Sequence, residues 1–380
     1  MTARRLQENR LIPRRAPDAD DFANRWTQAA SVPQRIARGN PRVVVIFMAQ
    51  CLVSFGANLG ARETVIAQAA RELARRPDIA NFRASRLYET PPIGGPSGQE
   101  PFLNGVAAFD TTADARQVLA WLQDLETRLG RQRRHRWGAR AIDLDVVLHG
   151  RLIGGASDLS VPHPRYTARR FVLLPACDVA AEYRDPRFGW TIAQLCRHLE
   201  SGSPSLALTG CDVATRSELC RLLGERYGLR TFAEPPLPEP MAVRANAPSP
   251  VATGHADRTV VEQFAHSSGF PPTDDSPWVS AFVPPLPPLV LPDENSAEAI
   301  ERILQAGSSV AFPRLIARVR RTREQERWPA PHQIWPSSGR WPEYRLEFED
   351  LDWAAGEVRS ALDSMRCPTL PITPDGCWWV

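Results

Sequence analysis

Proline sets the first limit on this chain. It supplies 36 of 380 residues, about 9.5 % against a usual ~5 %. It crowds the second half, in tracts from Pro235 to Pro250 and from Pro271 to Pro292. A residue with no N–H and a fixed φ belongs neither in a helix interior nor in a central strand. Those tracts are therefore irregular, and the organised units lie around them. The chain divides into residues 1–47, polar and read as a disordered N-terminal extension; residues 48–202, a catalytic domain; and residues 203–380, an accessory region with Pro-rich segments. Met48 precedes an apolar run and is a sensible start for the domain, so the residues before it are a true extension or an over-long reading of the start.

Composition excludes several classes. A net charge of +3 gives no general case for nucleic-acid binding. The most apolar run, Val43 to Phe55, is too short to span a membrane. The seven cysteines are scattered, with no C-x-x-C pair. That argues against a disulfide framework and a structural zinc site, and for a reducing cytoplasm. The expected form is a monomer acting on small molecules.

Periodicity predicts a strand at Cys51–Phe55, a helix at Arg62–Arg76 closed by Pro77, strands at Phe82–Tyr88 and Phe102–Phe109, and an amphipathic helix at Ala113–Leu129. A strand at Ile142–Leu148 and helices at Arg169–Ala180 and Thr191–Leu199 follow. Such interleaving predicts an α+β sandwich with a mainly antiparallel sheet. Beyond residue 203 the pattern predicts a strand at Leu206–Leu208, a helix at Arg216–Tyr227, and helices at Ala297–Gln305, Leu315–Gln325 and Trp353–Met365.

Asp143 and Asp145 alternate onto one face of the predicted strand. Two like charges so close call for a cation, and hard carboxylate oxygens suit Mg²⁺ shared with substrate phosphates. Alone, the pair fits a solvated sheet face equally well. Just upstream, Arg128, Arg131, Arg133, Arg134, Arg136 and Arg140 fall within thirteen positions. A cationic loop beside a carboxylate metal site is what phosphoryl transfer requires. His163, with Arg169 and Arg170 downstream, is either a phosphate contact or a turn-stabilising histidine beside prolines. Phe102 and Asn104 share a strand face, and with Phe171 they could sandwich and read a flat heterocycle; ordinary core packing is the alternative for each ring.

Together these residues resemble the 6-hydroxymethyl-7,8-dihydropterin pyrophosphokinase family of folate biosynthesis. The carrying motifs are Gly56-Ala57-Asn58-Leu59-Gly60, Tyr88-Glu89-Thr90-Pro91-Pro92, Phe102-Leu103-Asn104, Glu126 with Gly130-Arg131, Arg136 through Val147, Val161 through Arg165, and Arg169-Arg170-Phe171. The resemblance implies a ferredoxin-like fold, ATP as co-substrate, and two Mg²⁺ ions held by Asp143 and Asp145. It implies a pterin pocket from Thr90, Pro91, Pro92, Phe102, Asn104 and Phe171, and an ATP side from Glu126, Arg131, Arg136, His163 and Arg169. Arg131, Arg136 and Arg140 would be the catalytic cations. The implied reaction moves diphosphate from ATP to the pterin hydroxymethyl group and releases AMP. Ala57 stands where the family commonly has serine, and the Gly130–Arg136 loop is a residue shorter than in some relatives, which leaves the roles of Arg133 and Arg134 open.

The second region resembles a decayed P-loop nucleoside kinase. Gly210 to Ser217 sits where G-x-x-x-x-G-K-[ST] would, but Thr215 replaces the second glycine and Arg216 the lysine. The alternative to a plain pyrophosphokinase is thus a bifunctional protein whose second half is a nucleoside kinase or a non-catalytic interaction module.

Overall fold

The computed structural model describes residues 32–35, 45–95, 98–130, 140–156, 158–233, 274–284, 286, 300, 301, 304, 312–322 and 340–379. In chain order the first half runs β1 (Val32–Arg35), β2 (Val45–Ala57), α1 (Arg62–Ala74), β3 (Ile79–Ala84), β4 (Tyr88–Thr90), β5 (Phe102–Thr111), α2 (Ala115–Arg128) and β6 (Asp143–His149). A small hairpin, β7 (Gly154–Ala156) and β8 (Leu159–Val161), leads to a 3₁₀ turn (Tyr166–Ala168), α3 (Arg170–Ala180) and α4 (Ile192–Glu200).

Local chemistry fixes the helix starts. The Asp114 carboxylate accepts the Gln117 N–H at 2.8 Å and caps α2. Thr191 and Gln194 form a reciprocal capping box on α4. β2 is central: β5 and β6 flank it, and β5 carries β3 and β4 on its far side, all antiparallel. One face of this sheet buries Val53, Phe55, Leu103, Leu144 and Val146 against Ile66 and Leu73 of α1 and Val118, Leu122 and Leu125 of α2. The other face is covered at one end by α3 and left open at the end where β2 meets Asp143. β1, within the extension of residues 1–47, pairs antiparallel with the start of β2, register Val32↔Met48; the rest of residues 1–44 lies outside the described residues.

The second half continues with β9 (Ser205–Gly210), α5 (Val213–Tyr227), β10 (Arg230–Phe232), β11 (Trp278–Ser280), β12 (Leu315–Arg321), β13 (Glu343–Phe348), α6 (Leu351–Arg366), β14 (Leu370–Pro371) and a final 3₁₀ turn (Cys377–Trp379). Its sheet is wholly parallel, in the order β10-β11-β9-β12-β13. The helix expected at Leu315–Gln325 is instead strand β12 as far as Arg321. Flanked by parallel neighbours on both sides, the strand buries Leu315, Ile316 and Ala317 in succession, and this half shows no polar alternation that would have revealed it. Arg318, the residue that breaks the apolar run, reaches the buried Glu343 carboxylate at 3.1 Å. Within Ala297–Gln305 the described residues 300, 301 and 304 are helical, and the others lie outside the described set.

The two halves share one core. Tyr166, Leu173, Trp190 and Leu195 of the first half belong to the same buried cluster as Leu206, Ile316, Trp341 and Val358 of the second. β14 adds itself antiparallel to β4, register Leu370↔Glu89, and the Trp378 indole N–H donates to the Ser85 carbonyl at 2.6 Å.

His198 sits in this shared core between Trp190 and Trp341 and donates from Nε2 to the Arg314 carbonyl at 2.9 Å. Burial, then the charge of Arg314, holds it well below its usual pKa; burial likewise lowers His149. The folded state therefore binds fewer protons than the unfolded one. Stability is complete above the unfolded value near 6.5 and is lost as pH falls below it. The thermal midpoint is expected to fall between about pH 7.5 and about pH 5.5, ahead of the ordinary carboxylate range. A midpoint flat across that window, followed by calorimetry or circular dichroism, would contradict this.

Candidate active site

Residues paired across antiparallel strands project from the same face. Gly56 of β2 is opposite Asn104 of β5 on one side and Asp143 of β6 on the other, and Ser54 is opposite Asp145. Tyr88 is opposite Asn104, and Thr90 opposite Phe102. Thr90, Phe102, Asn104, Asp143 and Asp145 thus share one face of the sheet, at its uncovered end. Gly56 keeps the middle of that row low: a Cβ there would lie 3.4 Å from the Asn104 side-chain oxygen.

Asp143 and Asp145 are both partly exposed, at 25 % and 35 % of their side chains. Arg140 Nη1 donates to Asp143 at 2.5 Å. Arg169 Nη1 and His163 Nε2 approach Asp145 at 3.5 and 3.7 Å. His163 is not a cation here: burial, then the charges of Arg169, Arg165 and Arg187, pushes its pKa well below the usual value. Its Nδ1 accepts the Arg165 backbone N–H at 3.2 Å, which leaves the proton on Nε2, facing Asp145. Arg140 is itself clamped by the Gly56–Gly60 loop: Asn58 Oδ1 accepts the Arg140 N–H at 2.7 Å and the Asn58 N–H donates to the Arg140 carbonyl at 3.0 Å.

Of the residues singled out from sequence, Arg140, Asp143, Asp145, His163, Arg169 and Phe171 line one cleft of about 220 Å³. The Phe171 ring lies under the Arg169 guanidinium, 5.7 Å from centroid to Cζ. Thr90, Pro91, Pro92, Phe102 and Asn104 stand beside the cleft rather than in its lining; Thr90 and Asn104 are buried and joined by an Asn104 Nδ2 to Thr90 Oγ1 bond of 2.8 Å. Glu126 does not line it either. It is buried on the opposite side of β6, where Oε1 accepts the Leu144 N–H at 2.8 Å, and so fixes the strand between the two aspartates. Arg131, Arg133, Arg134 and Arg136 lie outside the described residues.

Sequence reasoning missed one wall. Tyr344 of β13 and Glu357, Ser360 and Ser364 of α6 also line the cleft. No local signal could have found them, because they lie some 200 residues from the aspartates in a segment with no matching motif.

The donor set suits magnesium. Among the described residues no cluster of three His, Cys, Asp or Glu groups could hold a metal alone. Two hard carboxylates on one face, open to a cleft, match an ion that takes one or two protein carboxylates and completes its shell with water and substrate phosphates. The P-loop position in the second half is arranged differently. The Asp212 carboxylate caps α5, accepting the Thr215 N–H at 2.7 Å, and Arg216 Nη1 donates to the Gly210 and Cys211 carbonyls at 2.6 Å each. Groups that would receive phosphate there are already engaged with the protein's own atoms.

Comparison with known proteins matches residues 52–181 to the family described as 7,8-dihydro-6-hydroxymethylpterin-pyrophosphokinase (HPPK). The chain is 40 % identical over 134 residues to the 2-amino-4-hydroxy-6-hydroxymethyldihydropteridine pyrophosphokinase of Pseudomonas aeruginosa, covering 35 % of this chain and 82 % of the relative. It is 36 % identical over 130 residues to the protein of the same name from Bacillus subtilis, covering 34 % of this chain and 77 % of the relative. Among solved structures, a Plasmodium falciparum HPPK-DHPS chain aligns with a TM-score of 0.32 and 12 % identity, over 47 % of this chain and 56 % of that one.

Proposed function

The chain belongs to the 7,8-dihydro-6-hydroxymethylpterin-pyrophosphokinase family, and from that premise we propose that the cleft over Asp143 and Asp145 is where it transfers diphosphate from ATP to the hydroxymethyl group of 6-hydroxymethyl-7,8-dihydropterin, in folate biosynthesis. The observation that carries the assignment of the site is the meeting of both aspartates with Arg140, His163 and Arg169 in one cleft.

In this reading Asp143 and Asp145 hold two Mg²⁺ ions, which supply charge neutralisation on the transferred group. Arg140 and Arg169, each against a carboxylate in the free protein, exchange that partner for phosphate oxygens when the nucleotide arrives. Neutral His163 offers its Nε2 proton to a phosphate oxygen without adding charge. Thr90, Pro91, Pro92, Phe102, Asn104 and Phe171 receive the pterin, with Asn104 reading its polar edge, beside the cleft in the direction of β5. Arg131 and Arg136 join from the segment between α2 and β6 as further phosphate ligands. Glu126 acts on the nucleotide side through the strand whose backbone it holds. The hydroxymethyl oxygen bonds to the β-phosphorus, the bond to the α-phosphate oxygen breaks, AMP leaves with that electron pair, and the hydroxyl proton passes to solvent. Catalysis is by positioning and charge. The order β2-α1-β3 then β5-α2-β6, with the three-residue β4 inserted between β3 and β5, supports a ferredoxin-like description of the first half. The seven free cysteines support a cytoplasmic setting.

The test is AMP release from Mg·ATP, followed by chromatography, with and without hydroxymethyldihydropterin. AMP that forms only with the pterin is the expected result; folded protein that forms none overturns the reading.

A further inference from the structure

The segment from Val161 to Arg169 is gripped from both sides. Within the first half, the Tyr166 hydroxyl donates to Asp185 at 2.8 Å. From the second half, the Glu343 carbonyl accepts the Thr167 hydroxyl at 2.7 Å, and the Arg345 N–H donates to the Pro164 carbonyl at 2.9 Å. The third tie is electrostatic: Arg165 Nη1 donates to Glu357 Oε2 of α6 at 2.6 Å. Glu357 is only 5 % exposed, while Arg165 keeps 29 % of its side chain open, toward the same cleft. The second carboxylate oxygen of Glu357 is buried with no hydrogen-bond partner. A buried acid retained with an unused oxygen has a cost to folding that the Arg165 contact must offset.

We propose that α6 forms the far wall of the nucleotide cleft and that Glu357 is a positioning residue for the transfer, holding Arg165 toward the ATP side and away from Asp145. The proposal rests on the reading that this cleft takes Mg·ATP. Two acids are within the reach of Arg165, since Asp145 lines the same cleft as Arg165 and Glu357. Glu357 is the less hydrated of the two and makes the direct contact. With Glu357 in place, Arg165 is anchored to the wall, and the Asp145 oxygens remain available to the incoming cation. Without its charge, Arg165 turns to the remaining carboxylate and occupies the position the metal would need. The second half would thus act on the reaction of the first, through a helix lying outside residues 52–181.

The experiment compares wild type, Glu357→Gln, Glu357→Asp, Arg165→Ala and the double variant Arg165→Ala/Glu357→Gln as full-length protein. Wild-type AMP formation decides the reading of the site by itself. Given an active wild type, Glu357→Gln is expected to raise the KM for ATP and the Mg²⁺ concentration needed for half-maximal rate about tenfold, with the pterin KM changed less than about twofold. Glu357→Asp should recover part of the loss. Calorimetric binding of a non-hydrolysable ATP analogue with Mg²⁺ should weaken by the same factor. In the Arg165→Ala background Glu357→Gln should add nothing. An unchanged KM for ATP, a fall in active fraction with both KM values constant, or a Glu357 effect that persists without Arg165 would each overturn the proposal.

Discussion

Replacing Asp145 or Asp143 by alanine is expected to lower kcat by roughly 10³-fold or more while leaving the fold in place. The size follows from the several kcal/mol of charge stabilisation a metal contributes, at about 1.4 kcal/mol per factor of ten. The fold should survive because both carboxylates are partly exposed at the open end of the sheet, and strand β6 is held by Leu144 and Val146 in the core beneath them. Their loss strands no fully buried charge, since Arg140 and Arg169 also face the cleft. Steady-state AMP formation beside a thermal melt separates the two effects. Turnover near wild type in either variant would remove the aspartates from the mechanism.

The second large effect concerns stability. Asp185 and Arg187 are both fully buried, and Arg187 meets Asp185 with Nε at 3.0 Å and Nη2 at 2.5 Å. Asp185 also accepts the Tyr166 hydroxyl at 2.8 Å. Asp185→Ala would leave a guanidinium in the interior without its counter-charge, which costs about 3–5 kcal/mol. The urea midpoint should shift accordingly. Because Tyr166 lies in the turn between His163 and Arg169, the variant should also weaken ATP binding in the fraction that remains folded. A stability change below about 1 kcal/mol would show that the pair is not what holds this turn.

The aspartates could be read from sequence because strand alternation is a local rule, and β6 obeys it: Asp143 and Asp145 lie on the open face, and Leu144 and Val146 are buried. Arg140, His163, Arg169 and Phe171 could be read because their spacing tracks a motif, and the cleft gathers them. Glu126 belongs to the motif set as well, and the fold adds what the motif does not carry: from the last turns of α2 it reaches beneath the sheet to the Leu144 N–H. β12 shows the limit of periodicity, since Leu315, Ile316 and Ala317 are buried in succession and the alternation of Arg318, Val319 and Arg320 is too short to mark a strand. The Tyr344 and Glu357 wall shows the limit of locality. Only the packing of α6 against the first half brings it to the aspartates, and packing between distant segments leaves no mark on either segment alone.

The pairing of β14 with β4 has a consequence for how the protein is made. Glu89 and Leu370 are neighbours in the sheet but about 280 residues apart in sequence. On a ribosome, β4 emerges long before its partner and waits as a short open edge, whose free backbone groups can pair with another strand. Closing so long a loop comes late on a folding route. The nascent catalytic half must therefore pass through a period in which it is built but unsealed, and yield in the cell should depend on chaperone supply and growth temperature more steeply than the stability of the finished protein would suggest.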